Sequence, residues 1–292
     1  MRKMANSFIK WAGGKRQLIT TLDSRLPDNF DKQITKYVEP FVGGGAYLFH
    51  IVEKHPKLKR VVINDVNYRL INCYTIIRDH PKDLNNKMKS LADLYNTIES
   101  DEDKKEMYNL IRKDFNQDEG DELELASYFI FLNKTCFNGL YRVNTRGEFN
   151  VPFGKYAHPN LFDENRINSC SELLQKVKIV TGDFDRLVNE ATKHAFFYLD
   201  PPYRLISKTS SFTEYDKTPF RDEDQIRVKE FCDRIDDKGS YFLLSNSDCQ
   251  DDFFEKLYEE YYVEKIKARR NINSRGEARG YILEILVSNY KN

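Results

Sequence analysis

Tyr37-Val38-Glu39-Pro40-Phe41-Val42-Gly43-Gly44-Gly45-Ala46, followed by Val61-Val62-Ile63-Asn64-Asp65, is the stretch that decides the fold. Both apolar runs are short and stop at a carboxylate or a glycine turn, as buried parallel strands do. Parallel strands need a crossover, and Ala46 to Lys54 reads as its helix, which makes the unit βαβ. Consecutive glycines let a backbone pass close to a ligand, and an acid about 20 residues on can hold ribose hydroxyls. GxGxxG is absent. The turn and Asp65 therefore point to an adenosine-containing ligand without choosing which.

Working outward, Tyr68 to Phe115 is helical in pattern, for example at Leu84, Met88, Leu91 and Tyr95, and Leu123 to Phe131 reads as a further helix. Asn133 to Lys155 changes to Asn, Gly, Arg and aromatic residues around a turn at Asn144-Thr145-Arg146-Gly147, which predicts a β-hairpin or ordered loop. Strand signals resume at Lys178-Ile179-Val180, Ala195 to Leu199, Tyr241 to Leu244, Tyr262 to Ile266 and Ile282 to Ser288. The expectation is an α/β sheet built from 1–67 and 176–292, interrupted by a mostly helical unit over 68–175.

The chain has 292 residues, with 46 Lys+Arg against 46 Asp+Glu. Zero net charge taken alone argues against a nucleic-acid binder, but the charge is unevenly spread. The first twenty residues carry Arg2, Lys3, Lys10, Lys15 and Arg16 with no acid, and 264–279 is also basic. Residues 99–124 hold eleven acids against four bases. Two basic ends can converge on one face and attract phosphates while the acids face solvent elsewhere. The five cysteines include no CxxC pair and the five histidines show no ligand spacing, so neither a disulfide scaffold nor a metal site is expected. No apolar run approaches the roughly 18 residues of a membrane span, and MRKMANSFIK is not a secretory signal. A cytoplasmic protein without membrane contact is expected.

Asp200-Pro201-Pro202-Tyr203 directly follows the apolar run Phe196 to Leu199. Open α/β sheets bind ligands at the carboxyl ends of their strands. Two prolines stiffen the backbone and, lacking N–H groups, leave carbonyls free. An Asp and a neighbouring carbonyl can accept both hydrogens of an exocyclic amine, while the Tyr stacks on its ring. The N6 lone pair of adenine is normally delocalised into the purine. Two acceptors favour a pyramidal nitrogen whose lone pair can attack, which is electrostatic preorganisation and not covalent catalysis. A third segment, Phe8-Ile9-Lys10-Trp11-Ala12-Gly13-Gly14-Lys15, holds the one Trp of the chain beside a glycine turn.

Together the three segments resemble the DNA adenine-N6 methyltransferases of the Dam family in the α-group motif order, over nearly the whole chain. The resemblance implies a Rossmann-like S-adenosylmethionine-dependent core with a target-recognition insertion over 68–175, and S-adenosylhomocysteine as product. It implies that Trp11, Lys15, Asp65 and Asp200 line the cofactor site. Glu39, Pro40, Phe41 and Gly43 belong to the turn beneath it, and Asp183 and Phe184 lie near the cofactor adenine. Asp200, Pro201, Pro202 and Tyr203 would hold the target adenine, flipped out of duplex DNA. Asn138-Gly139-Leu140-Tyr141-Arg142 and Arg146 to Lys155 look like the recognition hairpin of members that methylate GATC. On that likeness Arg142 reads a guanine, Leu140 and Pro152 contact neighbouring bases, Lys10 touches the first guanine, and Asn138, Arg146 and Lys155 share the DNA face. Phe137 fills the space left by the flipped base; the family commonly has another aromatic there, so stacking survives and a hydroxyl contact does not. Arg269, Arg270 and Asn271 would contact phosphates. The resemblance implies no metal, a monomer and a prokaryotic or phage-encoded enzyme.

Other readings fit less well. A cytosine-C5 enzyme needs a Cys nucleophile, but Asp248 stands before Cys249 where a Pro is expected. Cytosine-N4 enzymes usually carry Ser in place of Asp200, and RNA-adenine or protein-glutamine enzymes more often Asn. A nicotinamide oxidoreductase leaves Asp200 to Tyr203 unexplained, and a catalytically silent DNA-binding protein would not need them intact.

Overall fold

The computed structural model describes residues 6–204, 220–249, 251–269 and 281–291. Seven strands form one sheet: β1 (Lys36–Glu39), β2 (Arg60–Asp65), β3 (Val177–Thr181), β4 (Ala195–Leu199), β5 (Tyr241–Ser247), β6 (Tyr262–Arg269) and β7 (Tyr281–Ser288). Their order is β3-β2-β1-β4-β5-β7-β6. The first five are parallel, and β7 runs antiparallel between β5 and β6. From β1 the chain winds outward through β2 to β3, then returns to β4 on the other side. The order therefore reverses between β1 and β4, and a crevice opens at their carboxyl ends. Glu39 ends β1 and Asp200 follows β4, so both motifs arrive at that switch point.

Ten α-helices accompany the sheet among the described residues: α1 (Ile19–Asp23), α2 (Phe30–Gln33), α3 (Ala46–Lys54), α4 (Tyr68–Asp79), α5 (Pro81–Thr97), α6 (Asp101–Asn116), α7 (Glu122–Thr135), α8 (Glu164–Leu174), α9 (Asp222–Asp237) and α10 (Phe253–Leu257). The expected crossover is α3, residue for residue. It starts at Gly45, whose φ of +68° only glycine adopts freely and where a Cβ would run into the Tyr74 hydroxyl. Side chains alternate across the central strands. Tyr37, Val61, Phe196 and Tyr198 pack on one face, while Val38, Val62, Phe197 and Leu199 pack on the other against Val228, Phe231 and Ile235 of α9. Every residue of β4 is buried, as a central strand requires.

The segment between β2 and β3 is helical as expected, but its core is not separate. Tyr95, Tyr108, Phe115 and Phe129 belong to the same buried cluster as Tyr37 and Phe196. Helix α7 is apolar nearly all round and packs against α4, α5 and α6, as an interior helix does. It runs four residues beyond the expected end at Phe131, because the Asn133 side chain bonds other segments rather than its own backbone. After α7, two antiparallel bridges, Cys136–Phe153 and Val143–Phe149, pin an ordered loop pair around the expected turn at Asn144 to Gly147. Helices α8 and α9 were not anticipated from the sequence.

Candidate functional site

The glycine turn is fastened from both flanks. Asp65 Oδ2 accepts the Gly43 N–H at 3.0 Å, and its Oδ1 accepts the Asn67 N–H at 3.0 Å. Buried Asn64 donates to the carbonyls of Pro40 and Gly182, tying the ends of β1 and β3 together. Trp11 lies over the turn, so close that a Cβ on Gly43 would come within 2.8 Å of its indole nitrogen. The indole also stacks on Tyr141, centroids 5.6 Å apart, linking the turn to the loop segment after α7. Glu39 is buried beneath and accepts the Tyr37 hydroxyl at 2.7 Å. Burial pushes its carboxyl well above the ordinary value, and the nearby charges of Asp200 and Asp65 push the same way.

Lys15 is the hub of the second cluster. Its side chain is 4% exposed, and its Nζ donates to Asp200 Oδ1 at 2.5 Å and to the Tyr203 hydroxyl at 2.9 Å. Burial disfavours the ammonium, but Asp200, Tyr203 and Glu284 together outweigh it, so Lys15 stays protonated. Burial likewise raises the Asp200 carboxyl, against the pull of Lys15 and a hydrogen bond from Ser245. Tyr203 donates to Glu284 Oε1 at 2.9 Å. Gln225 of α9 donates to the Pro202 carbonyl at 2.9 Å. No described residue donates to the Pro201 carbonyl. Next along the chain, Arg204 makes a bidentate pair with Asp222 at the start of α9 and also grips Asp251, which anchors the exit from the motif.

Asp183 and Phe184 lie past the end of β3 and diverge in environment. Phe184 is buried against Phe41 and Phe231. Asp183 is exposed and bonded to Arg227 at 2.8 Å.

The DNA-facing candidates assemble on the loops after α7. Asn133 accepts the Lys10 backbone N–H and donates to the carbonyls of Lys10 and Gly139. The Tyr156 ring lies 5.0 Å from the Lys10 ammonium, and its hydroxyl accepts the Asn138 N–H. The Phe137 N–H donates to the Pro152 carbonyl at 2.8 Å. Phe137, Asn138, Arg146, Pro152 and Lys155 are exposed, as is Lys10; Leu140 is half-buried. Arg142 is fixed by its Nε on Asn150 Oδ1 at 2.8 Å. Lys134 joins this basic group: burial, with Arg166 and Lys10 nearby, brings its pKa down to about 8. Arg269 ends β6, while Arg270 and Asn271 lie outside the described residues. The residues 101–106 of α6 point their acids to solvent.

Sequence reasoning missed Glu284, Ser245, Gln225, Asn133 and Tyr156. Glu284, Ser245 and Gln225 are remote in sequence from every motif and are brought in by strand register and helix packing; Asn133 and Tyr156 flank the hairpin segment and carry no signal of their own. Cys249, the one thiol weighed as a nucleophile, is pushed up by burial, the opposite of what a reactive thiolate needs. Among the described residues no His/Cys/Asp/Glu group could hold a metal ion and no helix is long and apolar enough to cross a membrane.

A seven-stranded sheet with an antiparallel β7, carrying a glycine turn and an Asp-Pro-Pro-Tyr motif at one switch point, defines a Rossmann-like methyltransferase fold. Residues 11–272 match the family described as D12 class N6 adenine-specific DNA methyltransferase, and the chain belongs to that family. It is 45% identical to the type II methyltransferase M.MjaIII of Methanocaldococcus jannaschii, over 97% of this chain and 98% of that protein. It is 38% identical to the type II methyltransferase M1.LlaDCHI of Lactococcus lactis subsp. cremoris, over 98% of this chain and 95% of that one. Against the DNA adenine methylase of Escherichia coli it is 30% identical, over 98% and 95%. The protein is an adenine-specific DNA methyltransferase.

Proposed function

We propose that the enzyme transfers a methyl group from S-adenosylmethionine to N6 of an adenine flipped out of duplex DNA, within GATC. The observation that carries this reading is the Asp200 carboxylate, held by Lys15 and Ser245 at the end of β4, beside the glycine turn of β1. The charge balance supports the cofactor. Asp200 and Glu284 share the ammonium of Lys15, and Glu39, with Asp65 near it, adds carboxyl groups beside Asp200, which suits a ligand bearing a sulfonium and an α-ammonium. S-Adenosylmethionine, when bound, supplies an electrophilic methyl group. The residues assigned to hold it are Trp11, Lys15, Glu39, Pro40, Phe41, Gly43, Asp65, Asp183, Phe184 and Asp200. Asp183 would have to exchange its bond with Arg227 for one to the ligand.

In the mechanism, Asp200 Oδ and the Pro201 carbonyl accept the two N6 hydrogens and draw the lone pair out of the ring. The fixed φ of Pro201 and Pro202, together with the Gln225 bond, keeps the acceptors rigid. Tyr203 packs beside the ring. Adenine must leave the stack to reach this pocket, and Phe137, exposed on its loop, takes the vacated place. The unit over 68–175 serves as the recognition domain, with α4 shared as its base against β2 and β3.

Incubation with labelled S-adenosylmethionine and duplexes containing either GATC or its GTAC permutation tests the assignment. Label and protection from a GATC-cleaving, methylation-blocked endonuclease are expected on the first duplex alone; equal labelling of both sinks the GATC assignment. Arg142→Ala is expected to cost about 1–3 kcal/mol of discrimination at one guanine. Competition between duplexes substituted at each base pair checks this, and unchanged discrimination removes Arg142 from the readers. The basic group of Lys10, Lys134, Arg146 and Lys155 should make binding salt-sensitive despite the neutral chain. Four phosphate contacts would cost roughly 10²-fold in affinity between about 50 and 200 mM salt. A nearly flat titration would contradict that distribution.

A further inference from the structure

Lys15 serves two carboxylates, of which only one belongs to a motif. Glu284 lies on β7, paired in register with Ser247 of β5 and Ile266 of β6, and it is 3% exposed. Its Oε1 accepts the Tyr203 hydroxyl, while its Oε2 lies 4.0 Å from Lys15 Nζ and has no hydrogen-bond partner among the described residues. A buried carboxylate oxygen left without a donor is costly, so a fold optimised for stability alone would not place one there.

We propose that Glu284 is a positioning residue of the methyl-transfer pocket, orienting Tyr203 through its hydroxyl and sharing the Lys15 charge with Asp200. The inference rests on the reading that this pocket performs the transfer. The titratable groups facing Glu284 are Lys15, Asp200 and Tyr203, with Glu39 beyond Asp200. The chain brings Asp200 and Glu284 to one cation, so the pair titrates as a coupled unit. A negative Glu284 makes ionisation of Asp200 harder. Neutralising it gives Asp200 the full benefit of Lys15, so Asp200 ionises at lower pH. Burial also holds Glu284 above its ordinary value. Such a group stabilises the fold only at low pH and loses that contribution as pH rises, so its neutral isostere should not be less stable at pH 7.

The test is single-turnover transfer from labelled S-adenosylmethionine to mixed-sequence DNA lacking adenine methylation, from about pH 4.5 to 9. Mixed-sequence DNA makes the result independent of GATC. Glu284→Gln is expected to move the acid limb down by about half to one pH unit, with DNA affinity unchanged and a melting temperature no lower than wild type. Glu284→Ala, which leaves the Tyr203 hydroxyl without its acceptor, is expected to be about tenfold slower than the Gln variant at pH 7.5. An acid limb for Glu284→Gln that coincides with wild type or moves up overturns the proposal, as does a wild-type profile with no acid limb or equal rates for the two variants. Should the alanine variant not fold, the direction of the glutamine limb decides alone. A wild type that transfers no methyl group would instead overturn the reading of the pocket.

Discussion

Replacing Asp200 by alanine is expected to slow single-turnover methyl transfer by about 10³-fold, the upper range for removing one preorganised electrostatic contact, while DNA affinity stays within about twofold. The asymmetry follows from where the carboxylate sits. It is at the crevice between β1 and β4, bonded among the described residues to Lys15 and Ser245 and to none of the loops after α7 that carry the basic group, so the proposed phosphate contacts should persist. The lost acceptor matters only when the N6 lone pair is needed. The fold should survive, because Lys15 retains Tyr203 and Glu284 as partners. Filter binding and rapid-quench transfer on the same preparation check both halves. Loss of binding together with transfer in a folded variant contradicts the role given to Asp200.

The second large effect is expected from Lys15→Met. Removing one partner from a buried ionic cluster costs about 3–5 kcal/mol, because the remaining charges are left uncompensated. Asp200 and Glu284 would then face each other without a cation, and Asp200 would hold a proton at neutral pH. Transfer should fall by roughly 10²-fold and recover in part as pH rises and Asp200 ionises. The wild-type lysine contributes to stability in the opposite sense. Its folded pKa lies above that of a free lysine, so its contribution is complete below the unfolded value and fades only as pH rises through the folded one. Thermal melts and transfer rates across pH check both. A variant equally inactive at every pH, yet as stable as wild type, would show that Lys15 acts only by holding cofactor.

What could be read from residues in order was what is local. Val38 and Ile63 announce strands by their apolar runs, Gly45 announces the start of α3, and Asp200 to Tyr203 is a contiguous motif. The sheet order was not local, yet it is what makes two separate motifs one site. Glu284 illustrates the limit. Its neighbours Ile282, Leu283, Ile285 and Leu286 read as an ordinary strand, and only the β5–β7 register turns its carboxylate toward Lys15. Asn133 gave no signal for a similar reason, since its amide bonds Lys10, far away in sequence. Helix α9 was legible in principle, with Val228, Phe231, Cys232 and Ile235 at helical spacing, but its many charges obscured the stripe. Net charge misled because it summed the basic loops with the acids of α6, which face solvent.

The central claim, that the Asp200 pocket receives an adenine drawn out of the duplex at GATC, is tested most directly by fluorescence. 2-Aminopurine is placed at the adenine of GATC or at an adenine outside it, and Asp200→Ala is titrated in alongside wild type with S-adenosylhomocysteine present. The proposed function predicts a rise in emission on binding for the GATC probe alone, in both proteins, since on that reading unstacking depends on the loops after α7 and not on the carboxylate. Emission that stays at the level of the free duplex, or rises equally at both positions, would contradict it.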